Sequence, residues 1–264
     1  MEKLDLKKLI DNAIECRNRN AHSEAIKCIS IIIENFPLIA DYFDFRSHQY
    51  ILIKNFDKAI EDLDQAIKLN SANYMYYSTK AYLFFENKNY KEAIKLYEKA
   101  LTLKPASHHI YQVYNDLGCS KLNYYLSSNH EIELLDSAIE DFTYGLTLNP
   151  SILVKSDFFE RRAYCNYLKG INIYNSGDGI QAQINGDGTA SFINNFEPFI
   201  KNALIDYYKA KEINPNRAEI FYKMSICYEV LRDEVKELEN ISIALKLDPN
   251  NEQYINIYNK LLPF

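Results

Sequence analysis

Tryptophan is absent from this chain, and glycine and proline number only 7 each among 264 residues. So few backbone breakers argue against a turn-rich β architecture and for long regular elements. Positive charge is also scarce: 30 Lys and Arg stand against 36 Asp and Glu, a formal net charge of −6. A generic nucleic-acid binder needs the opposite surplus to displace counterions, so no nucleic-acid partner is expected. The five cysteines, Cys16, Cys28, Cys119, Cys165 and Cys227, are odd in number and show no Cys-x-x-Cys spacing. That pattern excludes a disulfide framework and a zinc site, and reads as thiols in a reducing compartment. Long apolar runs are missing too. Met1 to Lys8 has none that would serve as a signal peptide, and the richest stretch, Ile29 to Ile33, is broken by Ser30 and too short to span a bilayer. A soluble cytoplasmic protein without a membrane partner is expected.

What is present is a repeat. Ala59, Leu63, Ala66 and Ser71 are followed 34 residues later by Ala93, Tyr97, Ala100 and Pro105. Asn55-Phe56-Asp57-Lys58-Ala59-Ile60 likewise returns as Asn89-Tyr90-Lys91-Glu92-Ala93-Ile94. A fixed period of this size marks a stack of identical supersecondary units. The 47% hydrophobic content suffices for its core. Small residues at recurring positions let helix backbones approach, larger ones fill the space between, and Asn149-Pro150, Asn214-Pro215 and Asp248-Pro249 stand where helices should stop.

These features resemble the tetratricopeptide repeat family. Its unit of two antiparallel helices places a bulky residue at position 4, a large apolar one at 7, a small one at 8 and often an aromatic at 11. Ala at 20, an aromatic at 24, Ala at 27 and Pro at 32 follow. Repeats at 40–73 (Phe43, Ser47, Tyr50, Ala59, Leu63, Ala66, Ser71) and 74–107 (Tyr77, Ala81, Phe84, Ala93, Tyr97, Ala100, Pro105) fit without gaps. One at 6–39 fits with Leu9, Ala13, Ala25, Ile29, Ile32 and Pro37. The last, 218–251, carries Phe221, Met224, Ser225, Tyr228, Ile241, Ala244 and Pro249, with Glu237 replacing the small residue at position 20. Two more fit with insertions. In 111–152, Gly118 to Ala138 spans 20 residues rather than 12, and one added turn on each helix, about 3.6 residues apiece, absorbs the extra 8. In 156–217, Ala163 to Ala203 spans 40, an insertion of 28. The resemblance implies an all-α, right-handed superhelical α-solenoid of about six repeats, a single domain over 1–264. Tyr254, Ile257, Tyr258 and Leu261 mark a capping helix at about 252–262. The apolar end Leu261-Leu262-Pro263-Phe264 either folds onto that cap or serves self-association.

The insertion, about 170–198, holds five of the seven glycines. Ser176-Gly177-Asp178-Gly179 and Asn185-Gly186-Asp187-Gly188 read as hairpin turns between the segments 171–175, 180–184 and 189–193. The expectation is a small three-stranded β-meander or a flexible loop. Turn chemistry accounts for the Gly/Asp quartets, so neither a calcium site nor a phosphate loop is assigned.

The sequence offers no nucleophile, base or metal set, hence no catalytic residue and no cofactor. His108, His109 and His130 fall in turns, and neither they nor His22 and His48 pair with a second His or a Cys at helical spacing. In the family, first helices line a concave groove. Carried onto this chain, that groove includes Asp41, Asp44, His48, Leu52, Met75, Ser78, Tyr82, Phe85 and Glu86, then Gln112, Asn115, Asn123, Asp157, Glu160, Tyr164, Tyr167 and Leu168, then Glu219, Tyr222, Ile226 and Glu229. The partner-binding core is expected in Asp44, His48, Tyr82, Phe85, Asn115, Glu160, Tyr164, Tyr167 and Tyr222. This surface of aromatics and carboxylates, with almost no cations, suits a protein or peptide carrying apolar and basic residues. Capture of a chaperone's C-terminal carboxylate is rejected: of the required cations and asparagines only Arg161 is present, Ser78 and Tyr82 stand at positions 5 and 9, and Asp116 would repel the ligand. The chain thus reads as a non-catalytic adaptor or scaffold. The alternatives are a self-associating assembly subunit and a regulatory accessory of an enzyme complex.

Overall fold

The structure, a computed structural model, describes residues 6–103, 109–128, 131–177, 180–184 and 190–262. It is built from helix pairs gathered in two compact units. The first unit holds α1 (Leu6–Asn18) with α2 (His22–Asn35), α3 (Ala40–Leu52) with α4 (Phe56–Leu69), and α5 (Tyr74–Glu86) with α6 (Tyr90–Thr102). The second holds α7 (Ile110–Ser127) with α8 (Ile132–Thr147), α9 (Ile152–Asn175) with α10 (Glu197–Ile213), and α11 (Ala218–Leu231) with α12 (Glu234–Leu247). Helix α13 (Glu252–Leu261) packs on α12 and closes that unit. Within each unit every second helix also contacts the first helix of the next pair. His108, His130, Pro105, Pro263 and Phe264 lie outside the described residues. Among those described, no helix is long and apolar enough to cross a membrane.

The tight joint between paired helices explains why so little glycine is needed. Asn20, Lys54, Lys88 and Arg232 each adopt a left-handed backbone, with φ of 58 to 60°. All four occupy position 15 of their repeats. The residue that follows donates its amide back across the turn: Asn55 to the Tyr50 carbonyl and Asn89 to Phe84, both at 2.8 Å. That same residue then caps the second helix, Asn55 accepting from the Lys58 amide, Asn89 from Glu92 and Asp233 from Lys236. A three-residue joint therefore ends one helix and starts the next.

The small residues lie where neighbouring helices meet. Ala25, Ala59, Ala66, Ala81, Ala93, Ala100, Ala138, Ala163, Ala203, Ala210 and Ala244 are fully enclosed. Gly145 shows how close the approach is: a Cβ there would lie 2.3 Å from Cε1 of the buried Phe158 ring. The second unit therefore has glycine at a position where alanine serves elsewhere.

Cations replace the family's large apolar residue at position 7 in three repeats. Arg46 on α3 donates to both Asp62 carboxylate oxygens on α4, at 2.7 and 2.8 Å, and to Ser30 Oγ on α2 at 2.9 Å. Arg162 on α9 repeats the arrangement with Asp206 on α10, at 2.7 and 2.8 Å, and with Thr143 on α8 at 2.9 Å. Lys80 reaches Asp64 at 2.5 Å, on the second helix of the preceding pair. Each arginine thus ties three helices through a bidentate, charge-assisted contact. Asp62 and Asp206 are both buried, so these arginines are part of the packing.

In the fourth repeat the extra residues lengthen α7 to 18 and α8 to 16, against 13 or 14 in the regular pairs. The fifth repeat corrects the three-stranded expectation. Residues 171–175 are helical, because α9 runs 24 residues through Asn175. Gly170 is no breaker: it sits inside α9, where a Cβ would lie 2.6 Å from Ile200 Cδ1. Beyond it Ile173 joins the core, and Tyr174 meets Phe196 edge-on at 5.0 Å. Two strands remain, β1 (Ile180–Ile184) and β2 (Ala190–Asn194), paired antiparallel from Ile180↔Asn194 to Ile184↔Ala190.

Candidate functional site

In the first unit the candidate residues fall on α3 and α5. Leu52, Met75 and Tyr82 are 57%, 50% and 42% exposed. Phe85 is half-buried and meets Tyr90 edge-on at 5.5 Å. Asp41 is exposed and accepts a 2.7 Å hydrogen bond from the Tyr76 hydroxyl across the repeat boundary. Burial and this contact push the Tyr76 phenol up to about 12. Asp44 and His48 are brought together, one turn apart, with His48 Nδ1 3.6 Å from Asp44 Oδ1. That oxygen is enclosed and has no hydrogen-bond partner among the described residues. Burial raises the Asp44 carboxyl pKa, and protonated His48 would oppose the rise.

In the second unit the candidates gather on α7, α9 and α11. Tyr164 and Tyr167 stack with planes 13° apart and centroids 6.4 Å apart. Burial raises both phenols, Tyr167 to about 12. Tyr222 stacks on Tyr254 at 5.2 Å and receives a 2.5 Å hydrogen bond from Gln253, so much of its surface serves the capping helix. Asn115 accepts from Arg161 at 2.6 Å. Glu160 is only 4% exposed and pairs with Arg217 at 2.9 Å. Its carboxyl pKa is nonetheless raised, because burial outweighs Arg217 and Lys223.

The expectation of almost no cations is therefore corrected in this unit. Arg161, Arg217 and Lys223 line one recess with Asp157, Glu160, Tyr164 and Leu122, and Lys223 Nζ lies 5.5 Å from the Tyr164 ring centroid. The repulsion expected from Asp116 is likewise blunted, since burial raises its pKa and Arg161 lies close enough to act on it. Position 6 was the legible signal, reading Asp116, Arg161 and Lys223 in successive repeats. Arg217 gave none: it stands in the turn after α10, and only the fold brings it to Glu160. Among the described residues no group of three His, Cys, Asp or Glu side chains could hold a metal ion.

Two models of the tetratricopeptide repeat family match the sequence, at residues 40–73 and 74–107. No curated protein matches this sequence. Solved structures match widely in fold. YrrB, described as a TPR protein with an unusual peptide-binding site, is similar with a TM-score of 0.61 at 18% identity, over 90% of this chain and 100% of that one. PilF of Pseudomonas aeruginosa gives 0.63 at 16% identity over 97% of both chains. The C-terminal part of a TPR repeat-containing protein from Cytophaga hutchinsonii gives 0.66 at 18% identity, over 97% of this chain and 88% of that one. At such identities the likeness concerns the fold alone.

Proposed function

Because the chain is a tetratricopeptide repeat protein, a class whose members are generally non-catalytic adaptors, we propose that it binds a partner protein or peptide on its first-helix faces. The α3–α5 face of the first unit is the primary site. The observation that carries this reading is the set of exposed Leu52, Met75 and Tyr82 beside the carboxylates of Asp41 and Asp44. Exposed apolar residues on helices that also carry Asp41 and Asp44 favour a segment with apolar residues flanked by Lys or Arg. In the second unit Glu160 is already matched by Arg217, so that face contributes chiefly Tyr164 and Tyr167 as aromatic contacts. The likeness to YrrB is compatible with a peptide as ligand.

A peptide array read by fluorescence tests the preference. Peptides combining Leu or Phe with Lys or Arg should be retained over the same sequences with Glu in place of the cations, and retention should fall with added salt. Equal retention of both series would overturn the proposed selectivity.

A further inference from the structure

We propose that Cys16 and Cys28 form an oxidisable thiol pair that closes, with hydrogen peroxide as oxidant, into a disulfide joining α1 to α2. The two helices are the antiparallel members of the first pair, turned about Asn20. Cys16 Sγ lies 4.0 Å from Glu24 Oε2 on α2, and Arg19 Nη2 approaches it at 3.9 Å. Glu24 and Cys28 are four residues apart on α2 and share one face of it, so Cys16 looks onto the stripe that carries Cys28. In keeping with this placement, burial and then the neighbouring Cys16 raise the Cys28 pKa. Cys28 is partly open to solvent, which gives an oxidant access, and Cys16 stands behind it as the resolving group. The other thiols are worse placed: Cys165 and Cys227 are fully enclosed, and burial pushes Cys119 up to about 12.

The chemistry balances with peroxide alone. The Cys28 thiolate attacks one peroxide oxygen, the O–O bond breaks, and hydroxide leaves, taking up a proton as water. The resulting sulfenic acid is attacked by the Cys16 thiolate, the S–O bond breaks, and a second water departs as the S–S bond forms. Two thiols and one peroxide give one disulfide and two waters. The product ties together α1 and α2, the pair that packs on α3. This inference is independent of the partner-binding proposal.

Peptide mapping of the full chain tests it, without reduction, after peroxide treatment in the absence of denaturant and alkylation of remaining thiols. The expected product is an intramolecular Cys16–Cys28 linked peptide, two hydrogens lighter than its parts, with Cys165 and Cys227 alkylated. Its rate of formation should rise about tenfold from pH 7 to pH 8, because the thiolate is the reacting form. Amides of α1 should then exchange about tenfold more slowly than in the reduced protein, and Cys28→Ser should abolish both effects. Recovery of Cys16 as an alkylated thiol, with Cys28 either free or oxidised to a sulfinic acid, would overturn the proposal. So would a linkage formed only between chains.

Discussion

A left-handed residue closes four of the helix pairs, and in none of Asn20, Lys54, Lys88 and Arg232 is it glycine. A Cβ in that region meets the following carbonyl, which costs about 1–2 kcal/mol, partly offset by the extra chain entropy glycine loses on folding. Lys54→Gly and Lys88→Gly should each stabilise the protein by about 0.5 kcal/mol in urea unfolding, and a loss of stability would show that the lysine side chains do more than turn. Glu237 is the second residue out of pattern, a buried carboxyl at a position that elsewhere holds alanine. Burial, then Glu229 and Glu234, raise its pKa. A raised carboxyl pKa stabilises the fold below the unfolded value, about 4.3, and that contribution is lost as pH rises through the folded value. Glu237→Ala should therefore raise the melting temperature at pH 7 more than at pH 4.5; an equal gain at both would mean the charge is not what costs stability. Glu237 was legible at this scale as a departure from the repeat, whereas the left-handed lysines emerged only from the backbone.

Between elements the regular alanines were legible because small size at a fixed spacing has few other causes. The position-7 cations were not, since an isolated Arg in a helix reads as solvated until its partner on another helix is known. Arg46→Ala would leave Asp62 buried without its counterion, and breaking such a pair costs about 3–5 kcal/mol. Chemical denaturation should report a loss on that scale for Arg46→Ala and for Arg162→Ala, whereas a loss under about 1 kcal/mol would mark these pairs as surface-like. Gly145→Ala tests packing in the same way: Phe158 must move to admit a Cβ now 2.3 Å from its ring, and overpacking of this kind costs about 1–3 kcal/mol. The strand expected at 171–175 was misjudged for a related reason. Gly170 was read through its backbone freedom, while the fold uses its lack of a side chain against Ile200, so α9 continues five residues past it.

At the scale of each unit, stacked repeats derive stability from each pair and from the contacts between neighbours, and the proposed function assigns the first-helix faces to a partner. Period and register made the repeats readable in the sequence; the charge around the candidate residues was readable only where ion partners lie nearby, which is why Glu160 passed for an open acid and Arg217 was missed. The direct test is retention of a natural partner, captured from the native host, by variants of matched helicity. Tyr82→Ala, on the first-helix face of α5, should reduce retention at least about tenfold, as an aromatic hot spot would, while Ile31→Ala, an exposed apolar residue on the second helix α2, should leave it unchanged. Full retention by Tyr82→Ala, or loss with Ile31→Ala alone, would contradict binding through the first helices.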